Sequence, residues 1–199
     1  MYYDNSRLVF SPSDVVQFVD SPFASWMERL VLVNPDQVAQ ADADDSFMSM
    51  LQDKGASHEK ALLETFKAQG KSIAMIDEKE DKKKATLEAI EVGVEVIFQA
   101  YLTGENFVGY ADFLVKVDGA SELGNYHYEV WDTKLSKELK PAFTIQLCCY
   151  QDLLARIQGV RSEHFVVVLG DGRKERLRTD DYYYYYQSVR DDFLQFHKQ

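Results

Sequence analysis

VEVIFQAYLT (residues 94–103), NFVGYADFLVKVDG (106–119) and NYHYEVWDTKLS (125–136) are three successive runs; the last two have the β-branched and aromatic content of strands, and the first follows a helix-like TLEAIEVGVE (86–95). Gly104, Glu105 and Asn106 supply turn chemistry after the first run, and the segment from Asp118 to Gly124 does so after the second. The expectation is a three-stranded meander. Downstream, PAFTIQLCCYQDLLARIQG (141–159) opens on proline and stops at Gly159, as a helix does. EHFVVVLG (163–170) is a continuous apolar run suited to a strand covered on both faces, and RKERLR (173–178) can add a short edge strand. TDDYYYYYQSVRDDFLQF (179–196) reads as a closing helix with Thr179 as its cap. Tyr182 to Tyr186 must face several directions at about 100° per residue, so packing is the first reading of that run and base stacking the second.

Upstream, Ser11-Pro12 and Ser21-Pro22 each open a short helix, serine capping the free N–H groups and proline suiting the first helical position. Pro35 to Asp53 is acidic and poorly periodic and reads as a loop leading into a helix near Phe47. Gly55, His58 and Glu59 open a helix whose Leu62, Leu63 and Phe66 form an apolar stripe. DEKEDKKK (77–84) reads as a solvated helix face or loop. The order is helices, then β-β-β-α-β, then a helix, with no internal repeat.

Chemistry concentrates on the meander. Side chains alternate along a strand, so Asp132 and Lys134 share one face while Trp131 and Thr133 take the other. Asp112 stands among residues expected to be buried, where a carboxylate is costly unless paired, hydrogen-bonded or bound to a cation. Two carboxylates on neighbouring strands beside a lysine form an oxygen-rich site for a hard divalent cation, the arrangement that phosphodiester hydrolysis needs.

Asp112 followed by Asp132-Thr133-Lys134 resembles the PD-(D/E)XK nuclease superfamily, whose signature is an acidic residue and then (D/E)-x-K on the next strand. Three further stretches are similar to its RecB-like branch: Gly55-x-x-His58-Glu59, GYADFL (109–114) and Gln146-x-x-x-Tyr150. SPSDVVQFVDSPFASWMERL (11–30) also resembles the opening helices of that family. The resemblance implies an α/β restriction-endonuclease-like core with a mixed central sheet flanked by helices. It implies one domain over 1–199, with a helical portion at 1–54, a nuclease core at 55–178 and a closing helix at 179–199. It further implies a metal-dependent deoxyribonuclease, acting as an exonuclease or on single strands in DNA repair or recombination, with DNA strands or ends and a helicase domain or subunit as partners. In that family's arrangement, His58, Asp112, Asp132 and the Thr133 carbonyl hold Mg²⁺ or Mn²⁺. Lys134 is the catalytic lysine, and Gln146 and Tyr150 contact a phosphate or the catalytic groups. Several RecB-like nucleases carry four cysteines around an iron-sulfur cluster. Ser21 stands at the first such position and no cysteine follows Cys149, so no cluster is expected, and packing of Phe23, Trp26 and the last helix is expected to replace it.

Other residues read as structural: His127, His164 and His197 lack a motif, Glu129 lies on the far face of its strand, and Glu59 is a solvated residue or a neighbour of the ligand histidine. The 199 residues suit one domain with a single sizeable core. Adjacent Cys148 and Cys149 cannot staple distant segments. No apolar run is long enough to span a bilayer and no basic leader is seen, so a cytoplasmic protein without a membrane partner is expected. A net charge of -11 disfavours a protein that coats DNA. Residues 134–178, however, hold nine basic and five acidic side chains, a local +4. Two other classes remain open: an inactive nuclease-like domain that binds DNA or a helicase, and an acidic interaction protein or DNA mimic.

Overall fold

The structure, a computed structural model, describes residues 1–5, 7–34 and 46–198. A small hairpin of β1 (Tyr2–Asp4) and β2 (Arg7–Val9) leads into α1 (Pro12–Asp20) and α2 (Pro22–Val33). Then come α3 (Ser46–Ala68), β3 (Ile73–Met75), α4 (Lys82–Val92), β4 (Val96–Thr103), β5 (Val108–Ser121) and β6 (Gly124–Thr133). The chain closes with α5 (Pro141–Gln158), β7 (His164–Val168), β8 (Lys174–Arg178) and α6 (Asp180–Lys198).

The caps follow from chemistry. The Ser11 hydroxyl accepts from the Asp14 amide while Asp14 accepts from the Ser11 amide, a reciprocal capping box, and the Ser21 hydroxyl accepts from the Ala24 amide. Thr179 differs from expectation. Its carbonyl accepts from the amides of Tyr182 and Tyr183, but its hydroxyl turns inward and donates to the Ser162 carbonyl. The expected loop from Pro35 lies outside the described residues as far as residue 45, and from Ser46 the chain is already helical. Gly55 therefore sits within α3 rather than at its start.

Six strands form one mixed sheet in the order β3-β4-β5-β6-β7-β8. The expected meander is its centre, β4-β5-β6, antiparallel throughout. On each side a parallel neighbour is reached through a helix, β3 to β4 through α4 and β6 to β7 through α5. β8 forms the antiparallel edge expected of RKERLR.

Both faces are covered. On one, Leu62, Leu63 and Phe66 of α3 meet Val96, Phe98, Phe113, Val115, Val166 and Val168. On the other, Ile145, Leu147, Cys148, Cys149, Leu153 and Leu154 of α5 meet Ile97, Leu114, Val130, Phe165 and Val167. The two cysteines are free, and burial pushes both thiols up to about 12, so they serve as packing. In the tyrosine run Tyr186 is buried, Tyr182 and Tyr183 are half-buried and Tyr184 and Tyr185 face solvent; Tyr183 and Tyr186 donate to Asp152 on α5. Phe23 and Trp26, expected to pack against the last helix, are 69% and 44% exposed. Phe10 and Phe18 pack on Phe193 of α6, α2 meets α6 through the small Ser25, and Trp26 lines a surface pocket with Phe196. Among the described residues no helix is long and apolar enough to cross a membrane.

Candidate functional site

The β4–β5 pair is broken in phase at one point. Val96 and Phe98 face α3 and Ile97 faces α5, yet Ala100 and Leu102 also belong to the α5 side. The switch falls at Gln99, whose φ of 55° is left-handed and unusual for a residue with a side chain. In the ladder Phe98 pairs with Phe113 and Ala100 with Ala111, which sets Gln99 across from Asp112. The pairing of β5 with β6, Phe113 to Trp131 and Leu114 to Val130, extends to set Asp112 beside Asp132. The strand break and the two carboxylates therefore coincide.

Asp132 is 2% exposed, with Oδ2 2.7 Å from Lys134 Nζ. This is an ion pair without hydrogen-bond alignment, so that oxygen is buried without an aligned donor. Lys134 Nζ instead donates to Gln146 Oε1 at 2.8 Å and lies 5.3 Å from the centroid of the Phe143 ring. Asp112 Oδ2 accepts from both the amide and the hydroxyl of Thr133, at 2.8 and 2.9 Å. Thr133, expected to offer its carbonyl, is seen here as a donor that orients Asp112. Tyr150, one turn after Gln146 on α5, donates to the Tyr110 carbonyl at 2.7 Å. Gly109 makes that approach possible, since a Cβ there would lie 2.8 Å from both Pro12 and the Tyr150 ring.

From α3, Glu59 reaches the same place: Gln99 Nε2 donates to its Oε2 at 2.7 Å. His58 is placed differently from expectation, with Nε2 3.4 Å from the Val168 carbonyl, beside Lys174 in a shallow pocket. Among the described residues no three His, Cys, Asp or Glu side chains form a ready-made ligand set, so His58 is not gathered with Asp112 and Asp132.

The electrostatics are those of crowded acids. Burial holds Asp112 well above the usual carboxylate range, and the charges of Asp132 and Glu59 add to this. Burial also raises Asp132, against the pull of Lys134, and raises Glu59, with Gln99 opposing and Asp132 adding. Burial pushes up the Tyr150 phenol, reinforced by both aspartates, so it stays a donor. Three carboxylates thus share one ammonium. Within the set two oxygens are left without a hydrogen-bond donor: Asp132 Oδ2 lacks an aligned one, and Asp112 Oδ1 accepts no hydrogen bond from the described residues.

Sequence reasoning brought together Asp112, Asp132, Lys134, Gln146 and Tyr150. It missed Gln99 and left Glu59 in doubt. The available signal was a glutamine interrupting VEVIFQAYLT, a polar residue where the strand should be apolar. Glu129, read as structural, is buried and paired with Arg176 at 2.6 Å. Compared with known proteins, the chain matches no family model and no curated protein.

Proposed function

We propose that the chain is a metal-dependent nuclease that hydrolyses DNA phosphodiester bonds, on single strands or ends, with a restriction-endonuclease-like core of the RecB-like kind. One observation carries this reading: Asp112 and Asp132 lie side by side on adjacent strands with the Lys134 ammonium 2.7 Å from Asp132. Asp112 and Asp132 would hold Mg²⁺ or Mn²⁺, with Glu59, the Thr133 carbonyl and, after a turn of its side chain, His58 as further donors. The bound cation would neutralise phosphate charge and make a coordinated water more acidic. Lys134, held by Gln146, positions the attacking water and offsets negative charge developing on the phosphate. Tyr150 fixes β5 against α5 and so keeps Asp112 in place. A cytoplasmic role in repair or recombination beside a helicase fits this chemistry.

The test is cleavage of labelled single-stranded and double-stranded DNA in Mg²⁺, Mn²⁺ or EDTA. Cutting is expected with metal only, and Asp132→Ala or Lys134→Ala should lower it by about 10²- to 10³-fold. Equal products from wild type and both variants would end the proposal. A second reading, binding without cutting, is favoured by the engagement of His58 with the Val168 carbonyl. It predicts DNA binding and a melting temperature raised by Mn²⁺ without any product.

A further inference from the structure

The break at Gln99 has a second effect, on the outer half of the β4–β5 pair. Beyond it Ala100, Leu102 and Ala111 turn into the core, and Tyr101 and Tyr110, directly paired across the strands, turn outward. Their rings lie 5.1 Å apart at 55°, and Tyr110 is 42% exposed. The first turn of α4 borders them. Lys82 Nζ sits 5.1 Å from the Tyr110 centroid, and Glu80, Asp81, Lys82 and Lys83 line the same open groove. Lys82 and Lys83 form no ion pair among the described residues; the Asp81 carboxylate caps the Lys84 amide at 3.0 Å, and it and Glu80 bring their negative charge to the same groove. Tyr2, nearly half exposed on β1, lies close enough that it, with Tyr110 and Asp4, adds to the effect of burial in raising the Tyr101 phenol.

Aromatic faces beside ammonium groups that are free of ion pairs recognise unpaired bases joined by phosphates. A duplex hides its base faces within the stack, and a neutral sugar makes no use of the lysines. The groove is also near the carboxylates along the strand: Tyr110 precedes Asp112 by two residues, about 7 Å of strand, and its carbonyl is held by Tyr150. We propose that Tyr101 and Tyr110, with Lys82 and Lys83, form a stacking platform that takes the bases of a single strand and leads its next phosphodiester to Asp112 and Asp132. The delivery rests on the nuclease reading; the binding does not.

The experiment is fluorescence anisotropy of an end-labelled oligothymidylate with the full chain in EDTA, with a duplex of equal length in parallel, and metal-dependent cleavage assayed separately. The single strand should bind more tightly than the duplex. Tyr110→Ala should weaken it by about 5- to 150-fold, the range for one lost base stack, and Tyr110→Phe should retain it. The surface double variant Lys82→Glu/Lys83→Glu should weaken binding without lowering the melting temperature. Wild-type affinity in either the Tyr110→Ala or the double-lysine variant, or duplex binding as tight as single-strand binding, overturns the platform. Because no metal is present in the binding assay, the two proposals fail separately. Weakened binding in the variants with no cleavage by wild type keeps the platform and removes the nuclease. Unchanged binding in the variants with full metal-dependent cleavage does the reverse.

Discussion

Asp112 is the residue at which stability and chemistry oppose each other. A carboxyl whose pKa rises on folding favours the native state only while protonated. The metal-free protein therefore loses stability as pH climbs from the ordinary value of 3.8 through the raised one. At pH 7 without metal, Asp112→Asn should melt higher than wild type, since the amide oxygen still accepts from Thr133 and the group no longer titrates on folding. A gain of about 1–2 kcal/mol corresponds to roughly 2–8 °C in a chain of this size. Mn²⁺ should raise the wild type and leave the variant unmoved, narrowing or reversing the order. Thermal melts in EDTA and in Mn²⁺ decide it, and a variant that melts lower in EDTA would show that Asp112 is stabilising as it stands. Asp132 with Lys134 was legible from strand alternation and Asp112 from its apolar surroundings, whereas Gln146 and Tyr150 were marked by the family resemblance, helical spacing adding only that they share a face. Gln99 and Glu59 were not legible, because a left-handed residue inside a strand breaks that alternation and no periodic rule foretells it.

At the scale of elements, the tie between α2 and α6 is a buried pair, Ser25 Oγ and His197 Nε2, 2.9 Å apart. His197 Nδ1 is buried without a partner, and the Phe10 and Phe193 rings pack against the imidazole at 5.3 and 4.7 Å. Protonation would bury a second N–H with no acceptor, and burial, followed by Arg29, lowers the histidine from 6.5 to about 4. A histidine depressed on folding contributes its full stability above 6.5 and loses it as pH falls toward 4. Wild type should therefore lose melting temperature over that window. His197→Gln, which keeps a partner for Ser25 but does not titrate, should start lower at pH 7.5 and close the gap by pH 4.5. Parallel curves would assign the slope to carboxylates elsewhere. The Ser-Pro helices, the meander and α5 were readable from caps and periods. β1, β2 and β3 were not, since three residues hold no period and such strands exist only through their neighbours. The helix near Phe47 was readable, but Gly55, where a Cβ would meet nothing within 4 Å, imitates a second boundary inside α3 while costing the helix only about 1 kcal/mol.

Over the whole molecule the charge is uneven, and the structure reduces the apparent basic flank. Of the cations between residues 134 and 178, Lys134 is taken by Asp132, Arg161 by Asp180, Arg173 by Asp171 and Glu175, and Arg176 by Glu129. Four of the nine cations are thus spent on ion pairs, the one joining Glu129 to β8 among them, and a composition count could not reveal that. Lys137, Lys140, Arg156, Lys174 and Arg178 remain outside any ion pair among the described residues, as do Lys82 and Lys83 at the start of α4. In a protein of net charge -11, whose unpaired cations stand among many carboxylates, a handful of phosphate contacts is expected. For single strands each contact contributes about -0.7 to the slope of log K against log salt, so three or four contacts give roughly -2 to -3. Anisotropy titrations of oligothymidylate across a salt series in EDTA measure this slope. A value steeper than about -5 would require a basic track the fold does not provide, and a slope near zero would mean that the lysines flanking the carboxylates never meet phosphate. An intermediate slope is what the proposed platform requires of a net-negative chain that meets one strand beside the break in its β4–β5 pair.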